Sequence, residues 1–348
     1  MKKFTSVNDV DNVHRLVLEA LKEKKHPFAN KELGKNKTLG LIFLNPSLRT
    51  RLSTQRAAQN LGMDVIVMNL DKEGWCIETK EGVVMDGPAA EHIKEAAAVI
   101  GQYCDIIGLR SFPKLQNREE DYAEDVLNKF VKYAGVPVVS LESATLHPLQ
   151  SLADLITITE IWNSKTYAPI SRPKVVLTWA PHPKNLPQAV PNSFAEWITK
   201  TDYDFVITHP EGYELPEQFT NGAKIVYDQD EAFKGADFIY AKNWSSYREY
   251  GKILSQDKSW TITNKKMALT NNGKFMHCLP VRRNVVVADE VLDGPNSLVL
   301  QQAKNRIYAA QAVLKNILLS VSPSAPPELS LPTEAFVEAG VLAKQRMG

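Results

Sequence analysis

Short apolar runs recur along this chain, and each is followed by a stretch with helical period. That alternation leaves few folds open. Residues 39–44, 64–68, 105–110 and 136–141 read as strands in the first half, with helical stretches over 50–63, 89–103 and 119–134. Residues 174–179, 204–208, 224–227 and 237–240 start a second series, with a helix from Asn192 or Ser193 to Lys200. A short strand over 273–276 and a long helix over 298–320 follow. Strand–helix repetition of this kind builds parallel sheets with helices on both faces. The expected class is α/β, with two doubly wound parallel-sheet domains joined by interdomain helices. At 348 residues, roughly two domains is also what length suggests. The boundary falls near residue 150, bridged by a helix from His147 to Trp162, and Asn8 is expected to cap an opening helix that runs to Lys22.

Composition narrows the class. Hydrophobic residues make up 44% and charged residues 23%, as in ordinary globular enzymes. A net charge of +1 gives no electrostatic case for nucleic acid or a membrane surface. No apolar segment follows Met1 in the manner of a signal peptide, and no apolar run is long enough to span a bilayer. Cys76, Cys104 and Cys278 lack metal-ligand spacing. A cytoplasmic protein with no metal, no cofactor and no structural disulfide is expected.

The chemistry gathers at strand ends. After the apolar run of residues 39–44, Pro46 breaks the strand and Ser47-Leu48-Arg49-Thr50-Arg51 opens a helix. A helix N-terminus carries free N–H groups and a positive dipole end. Two hydroxyls and a guanidinium added there make an anion site suited to phosphate. A capped, charged surface helix is the plainer alternative. Arg110 stands at the carboxyl end of a later strand, where ligands of open α/β sheets collect. Glu142, His147 and Gln150 crowd a third strand-to-helix junction, with Pro148 at the first helical position. His147 could polarise a carbonyl oxygen there, or simply cap its helix. His277-Cys278-Leu279-Pro280 leads into Arg282-Arg283, a catalytic loop or a solvated basic one. Trp75 lies in a polar, glycine-punctuated segment over 69–87. It either folds back on its own core or reaches into a ligand site, such as a neighbour's.

Four of these stretches, in order, resemble one family. Ser47-Leu48-Arg49-Thr50-Arg51 is similar to the S-x-R-T-R phosphate loop of the aspartate and ornithine transcarbamylases. His147-Pro148-Leu149-Gln150 resembles their H-P-x-Q. His277-Cys278-Leu279-Pro280 and Asn305-Arg306 resemble the H-C-L-P and N-R of the ornithine branch. The resemblance implies a carbamoyl-phosphate domain over 1–150, onto which the helix over 298–320 packs back, an amino-acid domain over 151–297, and a tail over 321–348. It implies that Ser47, Arg49, Thr50 and Arg110 hold the phosphate of carbamoyl phosphate, with Leu48 contributing its backbone. His147, Arg306 and Thr50 would bind the carbamoyl oxygen. Gln150 and the carbonyls of Cys278 and Leu279 would take the carbamoyl amine. No cofactor is implied. A homotrimer with shared active sites is, together with a place in arginine biosynthesis.

Departures from the ornithine branch concern the acceptor. Its D-x-W-x-S-M-G is matched here by Lys242-Asn243-Trp244-Ser245-Ser246-Tyr247. Lysine in place of aspartate repels an ammonium and welcomes a carboxylate, and Arg282-Arg283 extends the cationic reach. This is similar to the N-acyl-ornithine branch, which also shares Trp75, Glu142 and a histidine at His182, with Lys184 a further cation nearby. N-acetyl enzymes of that branch carry a glutamate directly before the E-H that follows M-D-G. Here Ala90 stands at that place, before Glu91-His92, and it leaves room for the second carboxylate of a succinyl group. N-succinyl-L-ornithine is the expected acceptor, with N-acetyl-L-ornithine the alternative. Ornithine itself is disfavoured by Lys242. A non-catalytic anion-binding α/β protein could dispense with His147 and Arg306, which are both present. A dinucleotide-dependent dehydrogenase would want a G-x-G-x-x-G that does not occur.

Overall fold

The computed structural model describes residues 1–164 and 172–321. Beyond Val321, the tail read from the sequence lies outside the described residues. The strands are β1 (Lys3–Phe4), β2 (Thr38–Phe43), β3 (Asp64–Asn69), β4 (Ile77–Glu78), β5 (Glu91–His92), β6 (Ile106–Arg110), β7 (Val138–Glu142), β8 (Lys174–Trp179), β9 (Asp204–Thr208), β10 (Lys224–Val226), β11 (Phe238–Lys242) and β12 (Lys274–Met276). One five-stranded sheet has the order β1-β7-β6-β2-β3, a second has β10-β9-β8-β11-β12, and β4 pairs with β5 alone. Every pairing is parallel. The mixed α/β class and the two sheets are as the alternation implied. Central strands covered on both faces have no polar side to show, which is why β2, β6 and β8 read as continuous apolar runs.

Both sheets reverse direction beside their first long strand. In the first sheet the chain leaves β2 toward β3 on one side and returns as β6 on the other, so the crevice lies between the carboxyl ends of β2 and β6. In the second, β8 is flanked by β9 and β11 in the same way. Ligands of open α/β sheets bind at such switch points. Phe43 pairs with Arg110 at one, and Trp179 with Lys242 at the other.

Two helices join the halves. Pro148–Asn163 follows β7, is buried continuously from Pro148 to Thr159, and packs on the Val13–Lys25 and Ala189–Ile198 helices. The Val299–Val321 helix packs on Leu48–Asn60, on Pro148–Asn163 and on Val13–Lys25. One apolar core therefore runs through Leu41 and Phe43 of the first sheet, Leu152 and Ile156 of the bridging helix, and Leu177 and Trp179 of the second sheet.

Several local expectations are corrected. The opening helix begins after Asn12, whose Oδ1 accepts from Arg15 N at 2.8 Å. Asn8 instead lies in a 3₁₀ turn capped reciprocally by Ser6 and Asp9. The two-residue strand β1 was not anticipated, because so short an edge strand has no periodicity to read. The helix expected over 119–134 is two, Arg118–Tyr122 and Asp125–Tyr133, broken at Glu124 in the left-handed region at φ 52°. That conformation costs a non-glycine residue roughly 1–2 kcal/mol. In return the half-buried Glu124 carboxylate accepts from Ser143 Oγ and Thr145 Oγ1, both at 2.6 Å, and from Thr145 N at 2.7 Å. It thereby clamps the loop that delivers His147.

Glu124→Ala should leave both Thr145 donors without an acceptor, at about 1–3 kcal/mol for each buried group so stranded, while Ser143 Oγ keeps Leu146 O at 3.3 Å. A melting temperature lowered by several degrees is expected. An unchanged melting curve would show that the loop holds itself.

Candidate active site

The two switch points face one cavity of about 560 Å³. Pro46 ends β2, and the chain turns into the Leu48–Asn60 helix with Ser47 at the cap position. Ser47 makes no side-chain cap bond, so its hydroxyl and the first-turn N–H groups face the cavity unspent. Ser47, Leu48, Arg49 and Thr50 all line it. From β6 comes Arg110. A register shift between Leu109 and Arg110 places Arg110 opposite Glu142, as bulges re-aim side chains beside sites. The two form a buried ion pair, and the Arg110 guanidinium lies 4.1 Å from the centre of the Phe112 ring.

Arg306 enters from the Val299–Val321 helix and is the hub. Its Nη2 donates to Thr50 Oγ1 at 2.6 Å, and its Nη1 donates to Gln150 Oε1 and lies 3.3 Å from His147 Nε2. It is buried, and burial lowers its pKa to about 10; it remains a cation at neutral pH. Sequence positions 50, 147, 150 and 306 thus meet around one guanidinium.

His147 lies 3.3 Å from Glu142 Oε2 through Nε2, while its Nδ1 has no partner. Nε2 accepts from Arg306 in the tautomer that carries the ring proton on Nδ1, and in the other tautomer it can donate to an incoming carbonyl oxygen. Burial, followed by the charges of Arg306, Arg110, Lys242 and Arg49, pushes His147 well below the ordinary histidine range. His277 is lowered in the same way by burial, Lys242 and Arg49. Both are neutral hydrogen-bonding groups at physiological pH.

The second half closes the other side of the cavity with His182, Lys242, Cys278, Leu279 and Arg282. Leu279 adopts φ 57°, a left-handed backbone for a leucine. Such strain collects at functional loops because it aims backbone groups. Arg49, Arg110, Lys242, Arg282 and Arg306 line the cavity against one carboxylate, that of Glu142, among the described residues.

Several of the expected residues have partners or places that the sequence did not show. Glu142 is not free to meet a ligand alone, since Arg110 and His147 share it. Arg283 does not extend the cationic reach, for Asp289 and Asp293 hold it in ion pairs away from the cavity. Lys184 is exposed outside the cavity lining, and its N–H donates to His182 Nδ1 at 3.1 Å. Trp75 does not fold into its own core. It is 60% exposed, and its Nε1 donates to Glu91 Oε2 at 2.8 Å. Ala90 belongs to the same unit, its N–H donating to Cys76 O at 3.0 Å beside the β4–β5 pair. Trp75 and Ala90 both lie outside the cavity. Sequence reasoning missed Phe112, Leu186, Pro187 and Val190, which supply apolar wall. The proline-rich loop after β8 was the available signal for the last three.

Residues 2–160 match the carbamoyl-phosphate-binding domain of aspartate/ornithine carbamoyltransferase, and residues 187–317 match its aspartate/ornithine-binding domain. The chain belongs to the aspartate/ornithine carbamoyltransferase family. It is 57% identical over 320 residues to the N-succinylornithine carbamoyltransferase of Bacteroides thetaiotaomicron, covering 91% of this chain and 99% of that one. To the N-acetylornithine carbamoyltransferase of Xanthomonas campestris it is 37% identical over 335 residues, covering 90% and 97%. A glutamate-to-alanine mutant of N-acetyl-L-ornithine transcarbamylase, complexed with carbamyl phosphate and N-succinyl-L-norvaline, superposes with a TM-score of 0.85 at 36% identity, covering 91% of this chain and 100% of that one.

Protonating either buried histidine adds charge where burial and cations oppose it, so the folded pKa is depressed. The unfolded chain takes up these protons near pH 6.5. The stability that neutral His147 and His277 contribute is therefore present above about pH 6.5 and is lost as pH falls below it. In long-range proton–nitrogen spectra of histidine-labelled protein, both rings should keep neutral-imidazole signals from pH 8 down to pH 6. A charged His147 at pH 6 would refute this electrostatic account.

Proposed function

We propose that this chain transfers the carbamoyl group of carbamoyl phosphate to the δ-amine of N-succinyl-L-ornithine, giving N-succinyl-L-citrulline and phosphate. The observation that carries the chemistry is the meeting of Thr50, His147 and Gln150 around Arg306 in a cavity rich in cations. The similarity to N-succinylornithine carbamoyltransferase over nearly the whole chain supports the acceptor.

In this reading the first half holds carbamoyl phosphate and the second half the acyl-ornithine. Ser47, Arg49, Thr50, Arg110 and the first-turn N–H groups, with that of Leu48, receive the phosphate. Arg306, Thr50 and the Nε2 proton of His147 receive the carbamoyl oxygen. Gln150 Oε1 and the carbonyls of Cys278 and Leu279 accept from the carbamoyl amine. The neutral δ-amine attacks the carbamoyl carbon, and a tetrahedral oxyanion forms beside Arg306. The carbon–oxygen bond to phosphate then breaks, and the departing phosphate takes the amine proton. Fixed positive charge where negative charge develops is the main catalytic contribution, and holding both reactants in one cavity supplies proximity. Lys242 and Arg282 answer the acceptor's carboxylates, with Glu142, His182 and Lys184 at the edges of its site.

Ala90 stands where we read the N-acetyl enzymes' glutamate, and a small apolar residue there does not repel a succinyl carboxylate. Trp75 and Ala90 share a loop outside their own cavity. They are proposed to serve a neighbouring subunit's site in a homotrimer, in the cytoplasm, on a route to arginine.

Ureido-product formation from carbamoyl phosphate should be seen with N-succinylornithine and be at least tenfold slower with N-acetylornithine and with ornithine. Preference for the acetyl compound would overturn the role of Ala90, and preference for ornithine that of Lys242. A primary amine with a pKa of about 10.4 is mostly charged at neutral pH, so kcat/KM should rise toward alkaline pH, and a flat profile would count against attack by the neutral amine. Trp75→Ala and Arg306→Lys should each be nearly inactive alone. Unfolded and refolded together, they should regain part of the activity through hybrid sites, and no recovery would mean that each site is built from one chain.

A further inference from the structure

Beneath the cavity floor lies a carboxylate that the chemistry above does not use. Asp154 sits one turn after Gln150 on the bridging helix and is fully buried. Its Oδ1 accepts from Gln150 Nε2 at 2.7 Å and from Gln302 Nε2 at 2.7 Å. Both glutamines are buried as well. Each then presents its oxygen in the opposite direction. Gln150 Oε1 accepts from Arg306 at the cavity. Gln302 Oε1 accepts from the backbone N–H of His277 at 3.0 Å, directly before Cys278 and Leu279.

An amide has one accepting and one donating end, and the Asp154 oxygen that both glutamines meet accepts whether the group is ionised or, as burial favours by raising its pKa to about 7, carries a proton on its other oxygen. Tying Nε2 of each glutamine to Asp154 therefore fixes which end faces away. We propose that Asp154 is a positioning residue that sets, through the two glutamine amides, the direction of both groups of acceptors for the carbamoyl amine. One group is Gln150 Oε1. The other is the Cys278 and Leu279 carbonyls, whose strand end Gln302 anchors. This rests on the carbamoyl-transfer reading above. It adds that one carboxylate keeps the acceptors from the bridging helix and from the second half in register. Without it, either amide could rotate and offer N–H where the carbamoyl amine needs oxygen, and misplacement on this scale costs about a hundredfold.

The geometry also states which replacement is tolerated. Both donors meet the same oxygen, and the Tyr240 hydroxyl interacts with the carboxyl group as well. An asparagine can keep Oδ1 in place and turn its NH2 toward the Tyr240 hydroxyl, which can accept from it.

The test uses the full chain with Asp154→Ala, Asp154→Leu and Asp154→Asn, each also combined with Gln150→Ala. Activity is measured per folded protein, with carbamoyl phosphate and acceptor varied separately. With Asp154→Ala and Asp154→Leu, kcat/KM for carbamoyl phosphate should fall about thirty- to a hundredfold, with the acceptor KM within about threefold. Asp154→Asn should recover to within about fivefold of the unsubstituted chain. In the Gln150→Ala background, loss of Asp154 should cost a clearly smaller factor. An unaltered Asp154→Ala enzyme, an Asp154→Asn variant as impaired as the alanine one, or equal factors in both backgrounds would each overturn the inference. So would a soluble Asp154→Asn beside alanine and leucine variants that do not fold, for Asp154 is then structural. If the unsubstituted chain shows no carbamoyl transfer, the underlying reading falls and this falls with it. An active unsubstituted chain with any of the other failures overturns the positioning role alone.

Discussion

The structure depends on a guanidinium placed where water cannot reach it. Arg306 is a buried cation, and a charge in such a place is stable only when the groups around it are fixed to receive it. Thr50, Gln150 and His147 do so from the starts of two other helices. The ends of the Leu48–Asn60 and Pro148–Asn163 helices are thereby pinned to the middle of Val299–Val321. Secondary structure remote in sequence is held at one point by a residue that the chemistry also needs. Folding and function cannot be optimised apart here, because a change that relaxes the cation also displaces the hydroxyl and amide that surround it.

Around that hub the cavity is an electrostatic compromise. Several arginines and a lysine repel each other across it. Burial, with the Arg110 and Arg306 charges near it, makes protonation of His147 unfavourable. The Glu142 carboxylate offsets part of the repulsion by sharing Arg110 and His147. A doubly or triply charged anion would relieve the rest. The cavity is thus built for a ligand that supplies the missing negative charge, and the strength with which it holds one comes from charges already desolvated before binding.

Much of this was legible in the chain. Strand positions were plain because parallel strands buried on both faces must be continuously apolar, and the second-half strand over 174–179 agrees with β8 to the residue. Helix ends were less so. Asn8 and Asn12 offer the same capping chemistry, and only tertiary placement decides between them. The break at Glu124 was invisible, since its cause is a set of donors near residue 144 that no local pattern reveals. The residues that meet around Arg306 were read from motifs. Their mutual geometry, the sharing of Glu142 and the diversion of Arg283 to Asp289 and Asp293 depend on side-chain competition. The apolar spacing of the 147–162 helix says nothing of Asp154, whose place appears only when both faces of that helix are seen to be covered.

The continuous core has a thermodynamic consequence. Proteins with two sheets usually melt in parts, each half having its own apolar interior. Here Leu152 and Ile156 of the bridging helix pack within a single cluster that also holds Leu41 and Trp179 from opposite sheets. Each half also has a cluster of its own, around Phe275 in one and Phe130 in the other, but neither can leave the shared cluster without exposing the other's side of it. Heat should therefore see one cooperative unit, and a ligand bound in one half protects the whole chain. At a concentration a hundred times its dissociation constant, such a ligand adds about 2.7 kcal/mol to the unfolding free energy, and every strand in both sheets shares that protection.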